Sequence, residues 1–169
     1  MRLRTPIVAI LLGLVVVAVS GSYAGAAEPT VGCDRIVLRD RSGSEDGYRV
    51  LLESVAVPGS RHLAAGTSRT RGHWRWYRNA GIAVRGGTSW VSVSVPEGWR
   101  DRVALSWGGS RPSSSIRFAT CPGAAGKTWN SFSGGIHLTR RADCVPLQIT
   151  VGGTSTTVRV GVGRACGGL

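Results

Sequence analysis

The chain has 169 residues and a formal net charge of +12, with 21 basic against 9 acidic residues. This charge favours contact with polyanions such as anionic lipid headgroups, wall polymers or nucleic acid. The basic residues are scattered along the sequence, which favours a dispersed, solvated surface over a dedicated anion site. The four cysteines include no C-x-x-C pair, so the sequence argues against a zinc site.

The N-terminal segment, residues 1–27, has the order of a secretory signal peptide. Arg2 and Arg4 precede an unbroken apolar run at residues 7–19, and small residues follow. The Ala-Gly-Ala at residues 24–26 fits the small-x-small pattern at which such peptides are cleaved. The apolar run is shorter than the roughly 20 residues of a spanning helix. Cleavage is therefore favoured, with an uncleaved anchor as the alternative, and either outcome predicts export.

The remaining residues, 28–169, are the size of one domain and alternate with the period of β-strands. Val91, Val93 and Val95, for example, are separated by serines, which is typical of a sheet packed on one face. We therefore predict an all-β fold, an antiparallel β-sandwich, with an immunoglobulin-like arrangement as one form of it. The predicted strands are residues 35–39, 48–57, 73–78, 81–85, 90–95, 102–107, 115–120, 128–132, 136–139, 145–151 and 156–162.

Glycine pairs punctuate these strands and predict turns between them. The pair at residues 152–153 lies between two runs of good periodicity and predicts a tight hairpin. The pairs at 86–87, 108–109 and 134–135 are predicted to be changes of direction as well.

The four cysteines predict two disulfides, because an even number in an exported chain is typical of oxidised pairs. Three connectivities are possible. Cys121 and Cys144 both lie off the apolar face of their predicted strands, so they could meet across neighbouring strands. This argument favours a bond between Cys121 and Cys144, which leaves Cys33 to pair with Cys166.

Several segments of the domain carry a resemblance: residues 79–86, 91–96, 99–102, 105–108, 129–135, 144–147 and 160–164. They are similar to parts of a group of small exported actinobacterial proteins that have a cysteine-containing β-sandwich domain. The resemblance extends over residues 48–166. It implies export and a β fold, and it supplies no catalytic residues.

Motifs of the common catalytic sites are missing from the sequence. It contains no G-x-S-x-G, no H-E-x-x-H, no phosphate-binding loop and no calcium loop. The three histidines, His62, His73 and His137, are predicted to be ordinary surface or half-buried residues. The neighbouring carboxylates lie in predicted turns, where solvation explains them. We therefore predict no catalytic residue, no metal and no cofactor.

Aromatic and basic residues interleave in one segment that contains Trp74, Arg75, Trp76 and Arg78. Such side chains can stack on sugar rings or bases while arginine contacts anions. Trp90 is predicted to point outward, because it shares the parity of the serines that follow it. These five are the candidate binding residues. The interpretation favoured over binding is that Trp74 and Trp76, which share a parity, are buried together in the core, with Arg75 and Arg78 solvated.

Together these features predict an exported, non-enzymatic binding or structural module associated with the cell envelope. Its expected partner is an anionic envelope polymer or another exported protein. The sequence shows no specific nucleic-acid signal, and it predicts membrane contact only through an uncleaved N-terminal segment. The alternatives are a small secreted hydrolase whose site assembles from distant residues, and a secreted inhibitor or effector.

Overall fold

The computed structural model describes residues 27–40, 48–59, 63–64, 66–123 and 128–166. The predicted signal or anchor segment lies outside these ranges, apart from residue 27. Two single-turn 3-10 helices span Cys33–Arg35 and Glu97–Trp99, and no helix in the described ranges is long and apolar enough to cross a bilayer. The strands are β1 (Thr30–Val31), β2 (Leu38–Asp40), β3 (Tyr48–Leu51), β4 (Val55–Pro58), β5 (Ser68–Arg69), β6 (Trp76–Asn79), β7 (Ile82–Arg85), β8 (Val91–Ser94), β9 (Val103–Trp107), β10 (Ser115–Phe118), β11 (Trp129–Phe132), β12 (Gly134–Leu138), β13 (Asp143–Val151) and β14 (Thr154–Val162).

The strands form three sheets. The first has the order β1-β10-β8-β13-β14, the second β2-β11-β7-β4-β3, and the third β5-β6-β12-β9. The described pairings are antiparallel except for β1, which runs parallel to β10. The predicted all-β, antiparallel class is confirmed, and the arrangement is consistent with a β-sandwich.

The second and third sheets are continuous through two bent strands. β6 runs on into β7, and β11 runs on into β12 after the single residue Ser133. Across this break the Ala80 amide donates to the carbonyl oxygen of Gly134 at 2.8 Å. Gly134 has φ +145°, a conformation that side-chain-bearing residues rarely adopt. The pair at 134–135 therefore begins β12, and the prediction of a turn there was wrong.

The larger apolar cluster takes side chains from all three sheets, because each strand turns its apolar parity inward. Val93, Ile82 and Leu105, one from each sheet, are at most 1% exposed. Trp107 is also 1% exposed, and its indole Nε1 donates to the carbonyl oxygen of Ala80 at 2.8 Å.

One predicted turn is confirmed and one predicted strand is not. The tight hairpin at 152–153 is confirmed, because both glycines have positive φ (+53° and +95°) between the paired strands β13 and β14. The predicted strand 48–57 is instead a hairpin of β3 and β4. Leu52 and Glu53 make its turn with φ of 45° and 52°, although no glycine or proline marks that turn in the sequence.

The disulfides join Cys33 to Cys121 and Cys144 to Cys166, with Cα–Cα distances of 5.5 and 5.3 Å. The predicted pairs 121–144 and 33–166 were wrong. β8 lies between β10 and β13, so the strands next to Cys121 and Cys144 are not neighbours. Cys33 instead follows β1, which pairs with β10 just before Cys121.

The second disulfide follows the same rule of neighbouring strands. Cys144 lies opposite Gly161 in the β13–β14 ladder. The chain after β14 folds back onto Gly161, where a Cβ would lie 2.8 Å from the Cys166 amide nitrogen. Each disulfide therefore joins segments that strand pairing already holds side by side.

Candidate functional site

The connection between β5 and β6 is a closed hairpin that presents several arginines. Arg69 lies opposite Trp76 in the ladder, and the Thr70 amide donates to the carbonyl oxygen of Arg75 at 2.8 Å. The Thr70 hydroxyl donates to the carbonyl oxygen of Trp74. Gly72, with φ +90°, supplies the left-handed conformation that the tip of the loop requires.

Three exposed arginines line one open concavity of about 600 Å³ at this hairpin. We call it the arginine loop; it is formed by Arg69, Thr70, Arg71, Gly72 and Arg75. The ion pairs within the described ranges engage other arginines, at positions 35, 102 and 117. The loop's guanidinium groups thus have no carboxylate partner in the part of the chain that the structure describes. Guanidinium groups suit phosphate and carboxylate because their N–H donors match the spacing of the oxygens.

The predicted binding residues separate into different environments. Arg75 belongs to the arginine loop, and Trp74 is half-buried beside it with its ring 4.6 Å from that of His73. Trp76 packs against the larger apolar cluster. Arg78 donates from Nη1 to the carbonyl oxygen of Gly66 at 3.2 Å, so it supports the chain before β5.

The predicted burial of Trp74 and Trp76 together was therefore wrong. Trp76 is partly buried against the larger apolar cluster, whereas Trp74 is not among the side chains packed on it. Trp90 is 37% exposed, as its parity predicts. It lies beside the first sheet, where the Arg117 guanidinium is 4.8 Å from its ring centroid. Trp90 is thus not part of the hairpin that carries the other four candidates.

Sequence reasoning missed Arg69 and Arg71. Their signal is the short run Arg69-Thr-Arg71-Gly72, in which a turn glycine follows two arginines and precedes Arg75. A turn folds such a run back on itself, so these side chains gather at one end of the hairpin.

A second polar cluster lies on the outer face of the third sheet. Ser106 Oγ of β9 is 2.8 Å from His137 Nε2 of β12, and the ring of Tyr77 on β6 lies 4.7 Å from that of His137. Burial raises the pKa of Tyr77, an effect that its hydrogen bond with Ser106 opposes. Burial also lowers the pKa of His137, which favours the neutral imidazole.

This cluster borders a cavity of about 510 Å³ that we call the serine groove. Hydroxyls, one amide and two glycines dominate its lining, and it carries no charged side chain. The lining residues are Ser68, Tyr77, Asn79, Ser106, Gly109, Ser110, Ser133 and Gly134. His137 is not among them, and its contact with the lining is the bond to Ser106.

The described ranges contain no group of three side chains suited to hold a metal ion. No protein-family model matches the chain, and no curated protein matches it.

Proposed function

We propose that this chain is an exported binding module of the cell envelope that contacts an anionic polymer through the arginine loop. The observation that carries the proposal is the set of three exposed guanidinium groups, Arg69, Arg71 and Arg75, around one concavity. Each lacks a carboxylate partner within the described ranges. Export is supported by the two disulfides, which are typical of oxidising compartments. The β-sandwich, in its immunoglobulin-like form, is the proposed scaffold.

A polymer suits this site better than a single small anion. Exposed ion pairs contribute about 0.2–1 kcal/mol each because water and salt screen them. Three such contacts hold one phosphate weakly, whereas a chain of repeated charges can rebind along its length. Residues 28–169 keep +10 of the full chain's +12, because residues 1–27 contribute only Arg2 and Arg4, and this charge adds a long-range attraction that raises the rate of encounter.

The test compares two triple variants that remove the same charge. One is Arg69→Gln/Arg71→Gln/Arg75→Gln, and the other changes the exposed Arg49, Arg159 and Arg164 to Gln. Binding to polyphosphate is measured by fluorescence anisotropy, with neutral dextran as the blank. Losing three contacts of about 0.5 kcal/mol each weakens the loop variant about tenfold, and the control variant should weaken clearly less. Equal losses would contradict the proposed site and favour a dispersed basic surface.

Fractionation of the producing cell tests the envelope assignment. We expect the protein in the envelope fraction and its release by moderate salt, because salt screens exposed charge contacts. Recovery only in the medium would contradict the assignment and favour a secreted effector or inhibitor. Release only by detergent would also contradict electrostatic attachment, and would indicate that residues 1–27 remain as an anchor.

A further inference from the structure

Strand register brings a serine and a histidine together on the outer face of the third sheet. Ser106 of β9 lies opposite Gly135 of β12. His137 is two residues further along β12, so it points to the same face. The resulting Ser106 Oγ–His137 Nε2 distance of 2.8 Å is the hydrogen-bond contact that an activated serine requires.

Tyr77 lies beside this pair. Its ring packs on that of His137, with the centroids 4.7 Å apart, and Tyr77 lines the serine groove together with Ser106. With the imidazole proton on Nδ1, Nε2 accepts from the Ser106 hydroxyl. Half-burial favours the neutral imidazole, the form that can accept a proton.

The serine groove gives access to this hydroxyl. Ser106 lines the groove, so a molecule there can reach the hydroxyl that contacts His137 Nε2. We propose that Ser106 is a nucleophile and His137 its general base, acting on carboxylic esters that bind in the serine groove. This activity is independent of the arginine loop.

The proposed reaction has two balanced halves. Ser106 Oγ bonds to the ester carbonyl carbon while its proton passes to His137 Nε2. The imidazolium then protonates the leaving alcohol oxygen as the carbon–oxygen bond breaks, which leaves an acyl-Ser106 and a free alcohol. Water repeats the sequence on the acyl group, releases the carboxylic acid and restores Ser106.

The lining of the groove fits the charge that forms on the carbonyl oxygen. The side-chain amide of Asn79 and the hydroxyls of Ser110 and Ser133 offer donors to a developing oxyanion. Within the described ranges no carboxylate is hydrogen-bonded to His137. The pair is a dyad, so we expect slow turnover and choose covalent capture as the readout.

The experiment treats the exported, disulfide-bonded protein with a fluorophosphonate probe. In this reaction Ser106 Oγ bonds to phosphorus, fluoride leaves, and His137 takes the proton. Mass spectrometry of the digest should place the adduct on Ser106. Ser106→Ala should abolish that adduct, and His137→Gln should slow labelling about 100-fold or more.

Two matched variants outside the cluster serve as controls. His73→Gln and Ser94→Ala remove a histidine and a strand serine elsewhere, and both should label at the native rate. Circular dichroism establishes that each variant is folded, and urea-unfolded protein should not label. The proposal is overturned by folded native protein that gives no adduct on Ser106, or by folded His137→Gln that labels at the native rate.

Discussion

Gly135 faces the ring of Tyr77: a Cβ at position 135 would lie 2.9 Å from Tyr77 Cε2 and would collide with the carbonyl oxygen of Arg78. Gly135 also lies between Asn79 and Ser106 in the strand register. The missing side chain therefore lets the Tyr77 ring lie across β12. Gly135 thus makes room for the aromatic member of the Tyr77–Ser106–His137 cluster.

We predict that Gly135→Ala lowers the free energy of unfolding by about 2 kcal/mol or more, because backbone atoms must move to admit the methyl group. Chemical denaturation followed by tryptophan fluorescence measures this loss. Gly98→Ala is the control, since a Cβ there meets nothing within 4 Å. Equal stability of the two variants would contradict the close approach of Tyr77 and Gly135.

The sequence predicted strands well where one face of a sheet packs on the core. β8, β9, β13 and β14 were all visible as strict alternation, because burial imposes a period of two on them. The two-residue strands β1 and β5 are too short to show a period. The turn at Leu52 and Glu53 was missed because non-glycine residues there adopt positive φ, which local sequence rarely signals.

The two candidate sites differ in how much of each could be predicted from the sequence. The arginine loop lies within one hairpin, so the spacing of Arg69, Arg71 and Arg75 contains it. The cluster of Tyr77, Ser106 and His137 draws on three strands that are far apart in sequence, and only their register brings the side chains together. The predicted disulfide pairs were wrong for the same reason, because strand parity does not give strand order.

We expect the two disulfides to contribute unequally to the free energy of unfolding. Cys33–Cys121 closes a separation of 88 residues and Cys144–Cys166 one of 22. The chain-entropy model gives about 4.6 and about 3.4 kcal/mol for these closures. Cys33→Ala/Cys121→Ala should therefore be less stable than Cys144→Ala/Cys166→Ala by about 1 kcal/mol in urea unfolding. Peptide mapping without reductant checks the pairing first, and a 121–144 crosslink would contradict the structure.

We expect protonation of Glu28 to destabilise the folded protein in acid. Its carboxylate accepts from the hydroxyls of Ser92 and Ser115 and pairs with Arg117 Nε at 3.2 Å. Burial acts to raise the pKa of Glu28, but the two hydroxyl bonds and Arg117 outweigh it and hold that pKa below its usual 4.5. The stabilisation is therefore present above about pH 4.5 and is lost as pH falls through the lower, folded-state pKa.

Glu28→Gln should reduce the free energy of unfolding at pH 7 by about 1–2 kcal/mol, with a smaller difference from the native protein at pH 3. Urea titrations at both pH values measure this. Glu97→Gln, at an exposed position in a 3-10 turn, is the control. A Glu28→Gln deficit that is the same at both pH values would argue against the ionised carboxylate as its source.

His137 predicts a second pH dependence, at higher pH. Burial lowers the pKa of His137 below its usual 6.5, so below that pH the unfolded chain binds more protons than the folded one. The contribution of the neutral imidazole to the free energy of unfolding is fully present above about pH 6.5 and declines as pH falls toward the folded-state pKa. Native protein should lose more stability between pH 7.5 and 5.5 than His137→Gln does. A native profile in His137→Gln would contradict the assignment.

We predict that replacing the buried Asn130 by an apolar residue stabilises the protein. This side chain on β11 is 1% exposed, and neither atom of its amide has a hydrogen-bond partner among the described residues. Its ladder neighbours are Val84 and Arg39, on either side of β11. A buried amide without partners costs about 1–3 kcal/mol, and an apolar side chain of the same branched shape removes that cost. Asn130→Leu should therefore raise the free energy of unfolding by about 1–2 kcal/mol in urea titration. Asn79→Leu, at an exposed position, should change it little. A less stable Asn130→Leu would contradict this account.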